Sequence, residues 1–237
     1  MTAVRCTAPA RGHVPGSQAQ RECPVHGDRA HAASLPAPPA PESASEHNQT
    51  VLSNGTVIEE WHRNDVRHRE DGPAYVERRP DGTVIEWWCR NDKRHREDGP
   101  AWVERYPDGT VLEEWYRDGV LHRVDGPAYV ERRPDGTVSE EWCRNGRLHR
   151  EDGPAGVVRR PDGAVEREEW FVDGTEAEPW EVLGRYLTTR GVPELSAEAL
   201  KQIAKDVPWQ RWSELGPDHP LVALWGTMHP SAEISAN

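Results

Sequence analysis

The chain has 237 residues, which allows one or two domains of ordinary size. Hydrophobic residues make up 35% and charged residues 30%, with one Phe against 11 Trp, so a single large aliphatic core is disfavoured. The net charge of −12 disfavours nucleic acid and membranes as partners, because an acidic chain repels phosphates and anionic lipid, and it favours a basic protein partner.

The N-terminal sequence MTAVRCTAPARGH has no apolar core of a secretory signal, and no stretch approaches the apolar length of a transmembrane helix. We therefore expect a cytoplasmic protein whose four Cys are thiols or metal ligands rather than disulfides. The frequent Ala, Arg and Pro are typical of a GC-rich bacterial genome. Neither the partner nor the oligomeric state follows from the sequence.

A set of possible zinc ligands lies at the N-terminus. Cys6, His13, Cys23 and His26 have the spacing C-x6-H-x9-C-x2-H, and two thiolates with two imidazoles suit tetrahedral zinc. A segment with so few apolar residues needs such a staple in order to fold. We predict a zinc-knuckle head over residues 1–30 with one structural zinc; the alternative is a tail with incidental Cys and His. The Ala-, Pro- and Ser-rich residues 31–50 predict a disordered linker.

The strongest signal is an internal repeat. Glycines recur every 27 residues at Gly55, Gly82, Gly109, Gly136 and Gly163, and the first unit reads GTVIEEWHRNDVRHREDGPAYVERRPD. Three further complete units are nearly identical, and a fifth begins as GAVEREEWFVDG and then decays. A period between 20 and 50 residues indicates a solenoid, a propeller or a linear array.

Each unit contains two strand-like runs and two turn signals. In the first unit these runs are residues 56–63 and 74–79, and Asn64-Asp65 and Pro80-Asp81-Gly82 mark turns after them. Gly72-Pro73 should interrupt the chain between the runs. We therefore predict a mainly β fold over residues 51–174: a single-layer antiparallel β-meander of 27-residue hairpin repeats, with charges on both faces and cross-strand aromatic and ion pairs.

Residues 175–237 predict a small α-helical C-terminal cap or docking region. Ser196 is a helix N-cap residue, and the apolar residues that follow it recur at helical spacing until Pro208. Such a bundle could cover the edge of the last strand. The apolar residues available to it are Trp180, Leu183, Leu187, Trp209, Trp212, Leu221, Leu224 and Trp225.

The repeated motif W-x-R-[ND]-G-x-x-H resembles MORN repeats, and especially the MORN-like variants of bacterial and phage proteins. The resemblance covers residues 51–174 and departs from the standard unit where Arg69, Arg96, Arg123 and Arg150 follow the His. It implies hairpins in one antiparallel sheet that acts as a scaffold or docking surface. Some bacterial MORN-like proteins are antitoxins, so the resemblance also implies an immunity or antitoxin-like role.

Two residue types recur once in each unit. Equivalent residues lie two strands apart, about 10 Å, so one metal ion cannot bridge two of the His. We interpret the His, with the following Arg and Asp, as hydrogen-bonding groups that fix the bend before Gly-Pro; a periodic binding row is the alternative. We assign the Trp a structural role in the sheet. The residues concerned are Trp61, Trp88, Trp115, Trp142, His68, His95, His122 and His149.

Nothing in the sequence matches a catalytic motif, and Cys89 and Cys143 occupy a repeat position that also accepts His62 and Tyr116. The sequence therefore predicts a non-enzymatic protein-binding scaffold or adaptor. One alternative is nucleic-acid contact through the zinc head, which carries Arg5, Arg11 and Arg21. The other is an enzyme with its site between the helical tail and the sheet.

Overall fold

A computed structural model describes residues 45–228. Within them the chain forms two compact units, residues 45–138 and 139–228. Ten strands follow one another as neighbours in an antiparallel sheet, which confirms the mainly β meander. They are β1 (Glu46–Val51), β2 (Val57–Arg63), β4 (Tyr75–Arg78), β5 (Val84–Trp87), β8 (Trp102–Arg105), β9 (Val111–Glu114), β12 (Tyr129–Arg132), β13 (Val138–Glu141), β16 (Gly156–Arg159) and β17 (Val165–Glu169).

The sheet begins within the segment that the sequence predicted as a linker. Strand β1 pairs with β2 over six residues, from Glu46 opposite His62 to Val51 opposite Val57. All six residues of β1 are exposed. Its polar side chains gave no apolar alternation, but its backbone pairs with β2, whose other edge is paired with β4. The prediction of a linker is therefore wrong for residues 46–50.

Each unit also contains a short hairpin that the sequence analysis did not separate from the long strands. In the first unit, Val66–Arg67 (β3) pairs with the end of β2 through a turn at Asn64 and Asp65, whose φ angles are 53° and 61°. Two positive φ angles are those of a type I′ turn. The later short strands are β6 (Cys89–Arg90), β7 (Lys93–Arg94), β10 (Tyr116–Arg117), β11 (Val120–Leu121), β14 (Cys143–Arg144), β15 (Arg147–Leu148), β18 (Phe171–Val172) and β19 (Thr175–Glu176).

The short hairpins cover one face of the sheet, which we call the covered face. A row of side chains crosses this face from strand to strand, and the rings of Tyr75 and Trp87 stack at 4.0 Å. The Cζ atom of Arg94, from β7, lies 4.2 Å from the centroid of the Trp102 ring and 5.0 Å from that of the Tyr116 ring. Tyr75, Trp87, Trp102 and Tyr129 are all buried. The sheet thus has a thin buried interior, which the sequence analysis did not predict.

The residues after the sheet form helices α1 (Pro179–Thr189), α2 (Ala197–Asp206) and α3 (Pro220–Met228), with a 3₁₀ turn at Trp209–Glu214. The predicted cap of α2 is confirmed, since the Ser196 side chain accepts a hydrogen bond from the Ala199 N–H at 3.2 Å. The predicted bundle is confirmed except for Leu224, which is exposed. Its fully or nearly fully buried members include Val182, Leu183, Leu187, Ile203, Trp212 and Leu215.

Candidate binding face

The second face of the sheet carries the repeated Trp, and we call it the ladder face. Strand alternation places Trp61 on this face together with Glu59, whose cross-strand neighbour is Val76. In each of the four complete units the Arg that follows the His lies over the Trp ring. The distances from the Arg Cζ to the ring centroid are 4.2 Å for Arg69 and Trp61, 4.2 Å for Arg96 and Trp88, 4.1 Å for Arg123 and Trp115, and 3.9 Å for Arg150 and Trp142.

The same Arg holds the bend of the HRxDGPA segment. In the first unit its Nε donates to Asp71 Oδ1 at 2.8 Å and its Nη1 to the Pro73 carbonyl at 3.4 Å. A Cβ atom on Gly72 would lie only 2.8 Å from the Arg69 Cζ, so a side chain at this position would displace the guanidinium. The hydrogen bond from Arg69, followed by its positive charge, lowers the pKa of Asp71. The same Arg–Asp hydrogen bond is present in the second and fourth units, between Arg96 and Asp98 and between Arg150 and Asp152.

The repeated His of the first, second and fourth units connect each of these units to the turn that follows it. His68 Nδ1 lies 2.8 Å from Asn91 Oδ1 and accepts from the Asn91 N–H at 3.3 Å. His95 makes the equivalent contacts with Asp118 at 3.0 and 3.2 Å. The role of these His is therefore to hold successive units together, and not only to fix the bend of their own unit.

Ion pairs run diagonally across the ladder face. Arg105 donates to Glu86 Oε2 at 2.7 Å and Arg132 to Glu113 Oε2 at 2.6 Å, and both pairs join residues 19 positions apart. Arg159 and Glu140 repeat the arrangement at 3.4 Å. The Arg105 and Arg132 side chains are 52% and 53% exposed, so their free N–H groups face solvent. These residues were not predicted from the sequence, although they recur every 27 residues in it.

The fourth unit differs from the first three because a residue of the tail lies against its bend. Trp209 is 4.9 Å from the Arg150 Cζ and 5.6 Å from the Arg159 Cζ, each measured to a ring centroid. Its Nε1 donates to Glu168 Oε1 at 2.7 Å. Arg150 therefore contacts two indole rings, Trp142 and Trp209.

The remaining predictions concern metal, cysteine and membrane. The predicted zinc ligands Cys6, His13, Cys23 and His26 lie outside the described residues, and within residues 45–228 there is no cluster of three metal-binding side chains. Cys143 is disulfide-bonded, so the expectation of thiols or metal ligands is wrong for this residue. In the described part of the chain no helix is both long and apolar enough to cross a membrane.

A pocket of about 400 Å³ lies beside the start of α1, in the place suggested by the enzyme alternative. Its lining includes Glu168, Glu169, Glu176 and Glu178, together with Trp170 and Phe171. One of these carboxylates, that of Glu168, already accepts the hydrogen bond from Trp209. The pocket is thus an acidic cleft with an aromatic wall.

No family model matches the chain, and no curated protein is similar to it. Among solved structures, the crystal structure of the TCP10c domain of Drosophila melanogaster Sas-4 is 17% identical and covers 52% of this chain and 98% of that domain, with a TM-score of 0.15. A superposition this poor establishes no shared fold.

Proposed function

We propose that this protein is a non-enzymatic scaffold that binds another protein through the ladder face of its MORN-like repeat array. The proposal is carried by the repetition of one solvent-facing arrangement, in which an exposed Arg on one strand holds a Glu on the preceding strand. A surface repeated at a fixed spacing can engage an extended or repetitive partner at several points at once. Weak contacts then add to a strong interaction, because each later contact is intramolecular.

The chemistry of the face suits a protein partner better than a nucleic acid. Each exposed Arg of the ladder is paired with a Glu, so the face offers both signs of charge and little net positive potential for phosphates. The net charge of −12 favours a partner with basic side chains. The immunity or antitoxin-like role and the cytoplasmic location belong to the same proposal.

The proposal is tested with variants of the full chain against a partner captured from the native host and then purified. Arg105→Gln together with Arg132→Gln removes two exposed guanidinium groups of the ladder face. A matched control is Arg133→Gln, because Arg133 is 49% exposed and pairs with Glu131, whose side chain lies on the covered face. We expect binding of the purified partner to weaken at least tenfold in the double variant and to be unchanged in the control.

Deletion of residues 1–30 separates this function from the nucleic-acid alternative. The scaffold proposal requires that the deleted chain still binds its protein partner. Loss of binding on this deletion, with equal binding by the Arg105→Gln, Arg132→Gln variant, would contradict the ladder face and favour the N-terminal segment.

A further inference from the structure

The contact of Trp209 with the fourth unit defines a site for an indole ring. A Cβ atom on Gly153 would lie 2.9 Å from the Trp209 Cε3, so the ring packs directly on the glycine backbone. The Arg150 guanidinium adjoins the ring, and Glu168 accepts the indole N–H at 2.7 Å. A site that offers a cation, a bare backbone surface and a carboxylate acceptor matches the face, edge and N–H of indole.

The first two units contain the same groups in the same register. Glu168 lies opposite Val157 across the sheet, as Glu86 lies opposite Val76 and Glu113 lies opposite Val103. Each earlier unit therefore has an Arg on its Trp, a glycine at the bend, an exposed Arg on its second strand and a Glu on the next strand. These sets are Arg69, Gly72, Arg78 and Glu86 in the first unit, and Arg96, Gly99, Arg105 and Glu113 in the second.

The equivalent surfaces differ in exposure. Gly153 is buried beneath Trp209, whereas Gly72 and Gly99 are only half-buried. The Arg150 side chain is 12% exposed, compared with 25% for Arg69 and 27% for Arg96. The fourth unit thus shows how an indole covers a bend that stays open in the first two units.

We infer that the bends of the first and second units are binding sites for tryptophan side chains of a protein partner. This inference rests on the proposed function and specifies the partner's chemistry. Equivalent sites two strands apart are separated by about 10 Å, which is the rise of seven residues of an α-helix. The partner segment is therefore a helix with Trp at positions i and i+7, and each Trp lies on the Gly of a bend. Its N–H is directed at the second carboxylate oxygen of Glu86 or Glu113, whose Oε2 accepts from Arg105 or Arg132.

The test uses a peptide of the protein's own residues 205–216, KDVPWQRWSELG, with fluorotryptophan at both Trp positions. It is titrated into the full chain, and its fluorine NMR signals are followed without interference from the protein's own indoles. We expect saturable binding. Binding should weaken at least tenfold when the peptide carries Trp209→Ala, which retains the second Trp as reporter.

Two protein variants locate the sites. Gly72→Ala with Gly99→Ala places a methyl group where each ring would lie, so we expect peptide binding at these bends to be lost. The urea midpoint of this variant shows whether the displaced Arg has disturbed the fold. Trp209→Ala in the full chain empties the fourth site without touching the first two, so we expect the peptide stoichiometry to rise by one.

Three results with the peptide or with the free chain would overturn the inference. They are the absence of saturable binding at millimolar peptide, an unchanged stoichiometry in the Trp209→Ala chain, and self-association of the full chain that Trp209→Ala abolishes, which would make a second copy the occupant. Retained binding of the purified native partner in the Gly72→Ala, Gly99→Ala variant would overturn the indole sites while leaving the scaffold function intact. Loss of partner binding only in the Arg105→Gln, Arg132→Gln variant would have the same meaning.

Discussion

The repeat array and the helical tail are stabilised in different ways. The tail has one cluster of buried aliphatic and Trp side chains contributed by all of its helices. In the array, four units stack an Arg on a Trp, and the His of the first, second and fourth units bonds to the turn that follows its unit. Loss of one side chain should therefore be felt throughout the tail, but only by neighbouring units in the array.

The largest loss of stability is expected from a substitution in the tail. Leu183 is fully buried at the centre of the helical cluster, so Leu183→Ala should lower the free energy of unfolding of the tail by about 3–5 kcal/mol. Hydrogen exchange measured by mass spectrometry should show faster exchange across α1 and α2, with little change in residues 57–105. Equal acceleration in the first two units would remove the distinction between the two regions.

Trp115→Ala should cause a smaller loss of stability, confined to the units around it. Trp115 is half-buried and carries Arg123 on its ring, so its removal should cost about 2 kcal/mol, less than for a fully buried Trp. Hydrogen exchange should accelerate mainly in the second to fourth units. An unchanged urea midpoint would contradict the structural role that we assign to the repeated Trp.

The N-cap of α2 offers a test of the tail alone. Ser196→Ala removes the acceptor for the Ala199 N–H and should lower the stability of the tail by about 1 kcal/mol. Ser196→Asp is the matched control, because aspartate is an equally good cap. A loss of the same size in both variants would show that the hydrogen bond is not the cause.

The smallest effect is expected from acid, which should lower the stability of the array. Hydrogen bonds from Arg69 and Arg96 lower the pKa of Asp71 and Asp98, and the backbone N–H of Thr83 lowers that of Asp81. A carboxylate with a lowered folded pKa stabilises the fold above its unfolded pKa of about 3.9 and ceases to do so as the pH falls through the folded value. The urea concentration at the unfolding midpoint should therefore decrease as the pH is lowered below about 4. The decrease should be less steep in the Asp71→Asn, Asp98→Asn variant. Identical pH profiles for the two proteins would contradict this assignment.

The sequence predicted most of the fold because the repeat made the turns unmistakable. Asn64-Asp65 and its counterparts adopt the positive φ angles that their residue types favour. The short hairpins were missed because two-residue strands such as Val66–Arg67 are too brief to show alternation. The covered face was missed because Arg67 and Arg94 read as solvated charges, although they lie over buried aromatic rings.

The candidate site was predicted in part. The repeated Trp, Arg and Asp were identified, but their packing on one another depends on how the bend folds back after Gly-Pro. Trp209 lies 41 positions after Glu168 in the chain, so its contact with the fourth unit has no local signal in the sequence. That contact indicates what the bends of the other units can bind only because the repeats have the same residues at equivalent positions.

Each complete unit is held by an Arg stacked on a Trp, and a double-mutant cycle between Arg123 and Trp115 is the direct test of this contact. Urea unfolding is measured for the parent chain, Arg123→Ala, Trp115→Ala and the double variant. A cation over an indole ring at 4.1 Å should give a coupling energy of about 1 kcal/mol. Additive effects, with a coupling energy below about 0.3 kcal/mol, would show that the two side chains stabilise the unit independently and would contradict the stabilising role of the stack.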